Sequence, residues 1–389
     1  GRFGPKNVPV PFRPKGTVPV NGYDAQPARH GARAPWRAPC GSWGFGYDDR
    51  AGRKTGSPSI DMHTVATAEL RAEVRAAAGE LVEDLTRAGE VTGRWSDCAL
   101  TDALVEAALT RCLVRLAATG CWGEANRLPS SELWQIAGPL LEVGSLQHHA
   151  RFKPRGYAGD YQMLTRICEQ SCCEHPLGRA FDRYFLRQGA PEAVRARTEQ
   201  IAAMLTARAV AHPSGAFRVV SVGSGPAWDV YQALAVLPKA RRRWLRVTLL
   251  DLDPDALEAA EQRIGPLLAG PEALTCHRLN LFRLAHRPDA GATLGTPDFL
   301  ICSGLFDYLV DEAAAELLGL FWQRLAPGGL ALVGNFAPHN PTRAYMEWIG
   351  NWYLTYRTPD QLRQLAACAG IPSERVTITS DRTGIDLFL

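Results

Sequence analysis

An apolar, β-branched run that empties into a glycine loop, Val219-Val220-Ser221-Val222-Gly223-Ser224-Gly225-Pro226, constrains this chain more than any other stretch. A strand followed by such a loop and then a helix is the opening of a βαβ unit. The same grammar recurs downstream. Residues 247–250 form a second run that ends at Asp251, with a helix from Pro254. Residues 274–279 read as a third strand and 298–302 as a fourth, the latter followed by a helix over 311–325. Residues 330–333 make a fifth, introduced by Pro327-Gly328-Gly329. Strands alternating with helices imply a parallel, doubly wound α/β sheet. Two last runs, 375–379 and 385–389, are split by Asp381-Arg382-Thr383-Gly384 and read as a closing hairpin.

Upstream the pattern is helical. Apolar residues recur near every 3.6 positions over 64–86 and 97–119, and helical patterning returns at 130–141, 160–174, 178–188 and 191–210. The expected organisation is therefore a helical substrate or lid domain over 61–210 and a sheet domain over 211–389. Residues 1–60 differ from both, with ten Gly, nine Pro and a charge of +7 within a chain of +3. Proline removes backbone donors and glycine raises the entropy cost of ordering, so an extended basic arm is expected there, solvated or resting on an acidic face. Its start, Gly1-Arg2-Phe3-Gly4, has no apolar secretory core and reads as a processed end.

No run approaches the ~18 apolar residues of a membrane span. Ten cysteines without a CxxC pair suit a reducing, cytoplasmic setting. Cys168, Cys172, Cys173 and His175 form the densest group, but 173 points away from the face shared by 168 and 172, so no metal is expected.

In an open α/β sheet, ligands bind beyond the carboxyl ends of the strands, where a glycine loop lets backbone approach them. Gly223, Ser224 and Gly225 supply that loop; Trp228 stands where a dinucleotide fingerprint has its third glycine, which argues against a pyrophosphate site. Asp251, 26 residues beyond Gly225, suits the two hydroxyls of a ribose, whereas Asp253-Pro254 is helix-capping chemistry. Asn280, with Leu281, reads either as an adenine contact or as an ordinary turn residue.

In this order the motifs VGSGP, LLDLD and LAPGG and the final hairpin resemble the class I S-adenosylmethionine (SAM) dependent methyltransferases over 215–389. The expected fold class is α/β: a Rossmann-like class I methyltransferase sheet with a C-terminal β-hairpin, after a helical domain and an extended arm. A narrower resemblance rests on KPRGYAGDY at 153–161, SGLFDYL at 303–309 and the aromatic segment 345–358. These are similar to methyltransferase-like proteins identified as 3-hydroxypalmitic acid methyl ester biosynthesis proteins. That resemblance implies methyl transfer to a carboxylate or hydroxyl of a fatty-acid-like or natural-product substrate, with S-adenosylhomocysteine (SAH) released. Some similar proteins instead close azetidine or cyclopropane rings by displacement at a sulfonium.

On this reading Tyr157, Asp160, Leu252 and Ser303 join the glycine loop, Asp251, Asn280 and Leu281 around the cofactor. Asp160 either holds an amino group or caps a helix. Tyr157, Tyr161, Tyr308, Trp348, Trp352 and Tyr356 could form an aromatic wall suited to a sulfonium; the two Trp, four apart, could equally pack as core. Phe306, Asn335, Arg343 and Arg357 are candidate substrate contacts, the arginines as carboxylate forks. Asp307 would orient a substrate hydroxyl or cap. His148 and His149 are the candidate general bases, with a structural role as the alternative. The expected partner is a small molecule, not nucleic acid, since no Asn/Asp-Pro-Pro-Tyr/Phe signature follows the fourth strand; a homodimer and a non-catalytic scaffold stay open.

Overall fold

The computed structural model describes residues 62–95, 98–213 and 215–389, and the expected basic arm lies outside them. Seven helices come first: α1 Met62–Trp95, α2 Cys98–Ala118, α3 Arg127–Leu141, α4 Ser145–Phe152, α5 Tyr161–Glu169, α6 Pro176–Leu186 and α7 Gly189–Ala211. The caps of α5 and α6 are written in the sequence. Asp160 accepts from the backbone N–H groups of Gln162 and Met163 at the start of α5. His175 accepts from Gly178 ahead of Pro176 in α6. Side chains that satisfy the first orphan N–H groups fix where a helix begins.

The sheet follows: β1 Phe217–Val222, α8 Trp228–Val236, α9 Lys239–Arg242, β2 Leu245–Asp251, α10 Pro254–Ile264, β3 Leu274–Arg278, α11 Ala290–Leu294, β4 Phe299–Cys302, α12 Asp311–Arg324, β5 Leu330–Phe336, α13 Pro359–Cys368, β6 Thr379–Ser380 and β7 Asp386–Phe388. Strand order is β3-β2-β1-β4-β5-β7-β6. The first five strands are parallel, and β7 returns antiparallel to β5. This is the Rossmann-like α/β sheet with a C-terminal hairpin that the resemblance implies. The order reverses between β1 and β4, so the loops leaving those strands part and open a crevice.

The hairpin is shorter than expected. Residues 373–375 form a 3-10 turn, and only Thr379 and Ser380 pair with β7. Asp381 shapes the reversal, accepting from the backbone of Thr383, Ile385 and Asp386.

One hydrophobic cluster joins the helices to the segment after β5. Leu81, Leu109, Phe181 and Phe185 share it with Tyr345, Met346, Trp348, Ile349 and Trp352. Fully burying such side chains is worth ~1.5–3 kcal/mol each. The helical layer is thereby fixed to the end of the sheet where β5 leaves it. No helix among the described residues is long and apolar enough to cross a membrane.

Candidate functional site

A cavity of about 250 Å³ opens at the carboxyl ends of the parallel strands. Each strand end contributes. The loop after β1 gives Gly223, Ser224 and Gly225; β2 gives Asp251 and Leu252; the turn after β3 gives Leu281 and Phe282. The segment after β4 gives Ser303 to Leu305, then Asp307 and Tyr308, and β5 gives Phe336.

The glycine loop needs its glycines. Gly223 and Gly225 hold φ of +66° and +48°, a region that L side chains avoid. Its N–H groups are turned inward, however. Gly223 and Ser224 both donate to the Leu250 carbonyl, at 2.8 and 3.1 Å, and Gly225 donates to Asp251 Oδ2 at 2.8 Å. Asp251 Oδ1 accepts from the Asp253 N–H at 2.9 Å. Both carboxylate oxygens are thus oriented by backbone and keep lone pairs for a ligand. Burial pushes the Asp251 carboxyl above the usual carboxylate range.

Asp253 takes the capping role, accepting from Asp255 N–H at the start of α10. It also anchors a strap over residues 153–160. Arg155 grips it bidentately, at 2.9 and 2.5 Å, and the Tyr157 hydroxyl donates to it at 3.3 Å. Burial alone would raise the Asp253 carboxyl, but Arg155 outweighs it and holds it low. At the other end Lys153 Nζ donates to the Asn351 carbonyl at 2.7 Å, and burial brings that ammonium down to about 8. Tyr157, with Ala158 and Gly159 just after it, faces the cavity. The Tyr308 hydroxyl donates to the Ala158 carbonyl at 3.2 Å and accepts from Trp352 Nε1 at 2.9 Å. Tyr157, Tyr161, Tyr308 and Trp352 are therefore the part of the expected aromatic wall that forms.

Several expected contacts lie elsewhere. Asp160 is buried with Oδ1 spent on its cap and Oδ2 on His149 Nε2 at 2.6 Å, so it does not line the cavity. His149 is buried with it and does not line the cavity either. His148, about 100° round the helix from it, is exposed against Phe152. Neither histidine lines the cavity. Trp348 is fully buried core, and the two Trp do not share a helix face. A π-helical turn spans Tyr345–Ile349 and ends at Gly350, and Asn351 (φ +49°) redirects the chain, which leaves Trp352 alone at the cavity. Tyr356 packs beneath Arg343 and accepts from Asn340, away from the lining.

Neither arginine fork is free for a carboxylate. Arg343 donates to Glu347 at 2.7 Å. Arg357, 1% exposed, donates to Asp311, Asn335 and the carbonyls of Phe306 and Leu309. Asn335 is fully buried, bridging Arg357, Asp307 and the Thr355 carbonyl. Alternation along β5 gives the cavity face to Phe336 instead. Phe306 packs on Phe321. Asn280 is the turn residue, accepting from Phe282 N–H, while Leu281 lines the cavity.

The lining residues that sequence reasoning missed include Arg197 and Thr198 on α7, and Trp228 and Asp229 at the start of α8. Arg197 donates to Asp386 Oδ2 and to the Ser303 carbonyl, each at 2.9 Å. Burial opposes its charge, but Asp386 and Asp307 outweigh that and raise its pKa. Asp229 is buried with Oδ1 on its neighbour's N–H, and burial pushes its carboxyl up. A signal existed for both: each charge falls four residues from an apolar core position, Arg197 from Ile201 and Asp229 from Ala233. Among the described residues Ser224 Oγ and Trp228 Nε1 have no hydrogen-bond partner. Among the described residues no group of three His, Cys, Asp or Glu side chains could hold a metal ion.

No protein-family model matches the chain, and no curated protein matches it. Solved structures do. A possible exported protein from Bordetella parapertussis is 20% identical over 85% of this chain and 98% of its own, with a TM-score of 0.47. The CurJ carbon methyltransferase is 14% identical over 83% and 92%, with a TM-score of 0.44. The magnesium protoporphyrin IX methyltransferase ChlM from Synechocystis PCC 6803, with bound SAH, is 16% identical over 52% and 85%, with a TM-score of 0.38.

Proposed function

We propose that the cavity binds SAM and that the protein transfers the methyl group to a small-molecule acceptor, leaving SAH. The observation that carries this reading is the Asp251 carboxylate, held at the strand end by Gly225 and opening on the same cavity as the glycine loop. The residues present fit an adenosyl ligand. Asp251 would accept from ribose hydroxyls, and Leu252, Leu281 and Phe282 offer apolar surface for a base. Ser224 Oγ and Trp228 Nε1 are polar atoms still lacking a partner beside them. Arg197, Thr198 and Asp229 would face a charged amino-acid end.

When bound, SAM supplies a methyl carbon on a positively charged sulfur, which departs as a neutral thioether. The chain's own residues hold, align and exclude water. Tyr157, Tyr308 and Trp352 turn aromatic surface to the cavity, and such faces attract a cation by about 0.5–2 kcal/mol each. The strap, tied to Asp253 and Asn351, shields the reacting groups from solvent. Positioning of this kind is the main catalytic task when the leaving group is already activated. Ring closure would use the same groups, with the nucleophile and the sulfonium in one molecule.

Incubation with methyl-13C SAM and a fractionated small-molecule extract tests this. Labelled product appearing with SAH is the expected result. SAH or methylthioadenosine appearing without label transfer to a second molecule would move the reading to ring closure. Intact SAM after incubation with every fraction would remove both.

A further inference from the structure

The charges around the cavity are not balanced one for one. Among the described lining residues Asp229, Asp251 and Asp307 stand against a single cation, Arg197. That cation is already committed to Asp386 of β7. Arg357, the other buried guanidinium nearby, is committed to Asp311 of α12. Asp307 is left with neutral donors alone: Asn335 Nδ2 at 2.9 Å and the Phe336 N–H at 2.8 Å, both on Oδ1. Among the described residues its Oδ2 has no hydrogen-bond partner, and the residue is 3% exposed. Arg197 and Arg357 attract it without bonding to it, and the remaining titratable groups that feel it are Asp386, Cys302, Tyr308 and Tyr356.

A buried carboxylate bonded only to neutral donors, with burial and Asp386 outweighing the attraction of Arg197 and Arg357, favours gaining a proton and opposes a second anion beside it. We propose that Asp307 is the proton acceptor of the reaction and that the acceptor substrate is a neutral protic group, a hydroxyl, phenol or N–H, rather than a carboxylate. This rests on the SAM reading above and narrows its substrate. In the step, the acceptor's proton passes to Asp307 Oδ2. The electron pair left on oxygen or nitrogen forms the new bond to the methyl carbon, and the carbon–sulfur pair stays on sulfur. Asn335 and the Phe336 N–H hold Oδ1, so only Oδ2 is open to the substrate. Burial and the nearby Asp386 push the Asp307 carboxyl well above the usual carboxylate range, as a group that must take up a proton requires. A carboxylate acceptor would need no base and would meet this excess of acid without a guanidinium of its own, since Arg343 and Arg357 are each paired with a carboxylate outside the lining.

The test uses two probes of one ring size, phenol and benzoate, titrated into the SAH-saturated full chain and its Asp307→Asn variant. Asparagine keeps an oxygen for the Phe336 N–H, and SAH affinity within about threefold of wild type shows that the site survives. Wild type should prefer phenol by about tenfold or more, and the preference should fall below about threefold in the variant. Benzoate bound as tightly as phenol, a preference unchanged by the substitution, or neither probe bound would overturn the assignment. A chain that binds neither SAH nor SAM removes the SAM reading instead. The same two probes titrated into the ligand-free chain then decide Asp307 on the same criteria.

Discussion

The Gly225 N–H donates to Asp251 Oδ2 across 2.8 Å, so the loop leaving β1 and the end of β2 are one unit. A second bond, from the Asp253 N–H to Oδ1, turns the carboxylate so that it faces the cavity rather than water. The glycine loop spends its own N–H groups on this arrangement. Ligand recognition then falls to side chains and to the carboxylate.

Replacing Asp251 with Ala should therefore weaken SAM and SAH binding more than it weakens the fold. Hydrogen bonds to a charged group are worth about 1.5–3 kcal/mol, or roughly 10–100-fold in affinity. Calorimetric titration of the variant measures this; unchanged affinity would move the ribose elsewhere.

Gly159 should not tolerate a side chain. Its φ is +68°, and a Cβ there would stand 2.9 Å from Trp352 Cζ2 and from the Tyr308 hydroxyl. Gly156 has φ +86° but open space around it. Gly156→Ala should cost about 1 kcal/mol of backbone strain, and Gly159→Ala about 1–3 kcal/mol more through the displaced aromatics. Denaturant unfolding of both variants gives the comparison, and equal losses would mean that the strap does not press on Tyr308 and Trp352.

Arg357 should prove structural. Its guanidinium joins the carbonyls of Phe306 and Leu309 to Asn335 and Asp311. Arg357→Ala should lose about 3–5 kcal/mol of stability, as expected when one partner of a buried ionic network is removed. Arg343→Ala, at a half-exposed site, should lose far less. A loss of substrate binding at unchanged stability would restore the carboxylate-fork role.

Asp307 should make stability fall as pH rises. Its folded pKa is raised above the ordinary 3.8 by burial and Asp386. The folded state therefore binds this proton more tightly than the unfolded chain. The stability it contributes is complete below the unfolded value and is lost as pH rises through the folded one. Asp307→Asn should gain on wild type in unfolding free energy between about pH 4 and pH 9. A constant difference across that range would show that Asp307 does not titrate in the fold.

The strands were legible because β1 to β5 are buried runs punctuated by glycine, proline and aspartate, and the residues at their ends line the cavity as position alone implies. Asp253 and its helix were legible for the same local reason. Trp348 and Trp352 were not, because a π-helical turn breaks the spacing that would set them on one face. Asn335 and Arg357 were polar residues in plausible places whose partners come from distant segments, and His149 meets Asp160 only through the path the chain takes between α4 and α5. Helix α4, eight residues long, is too short for a periodic signal. Arg197 and Asp229 hid within apolar helix faces, where a charge reads as an exception until the cavity beside it is seen.

The most direct measurement is calorimetric titration of the wild-type full chain with SAM and, separately, SAH. Binding of at least one at about micromolar affinity, one per chain and weakened by Asp251→Ala, is the predicted result. No heat from either, together with no adenosyl compound released on denaturing the purified protein, would contradict the assignment of the cavity.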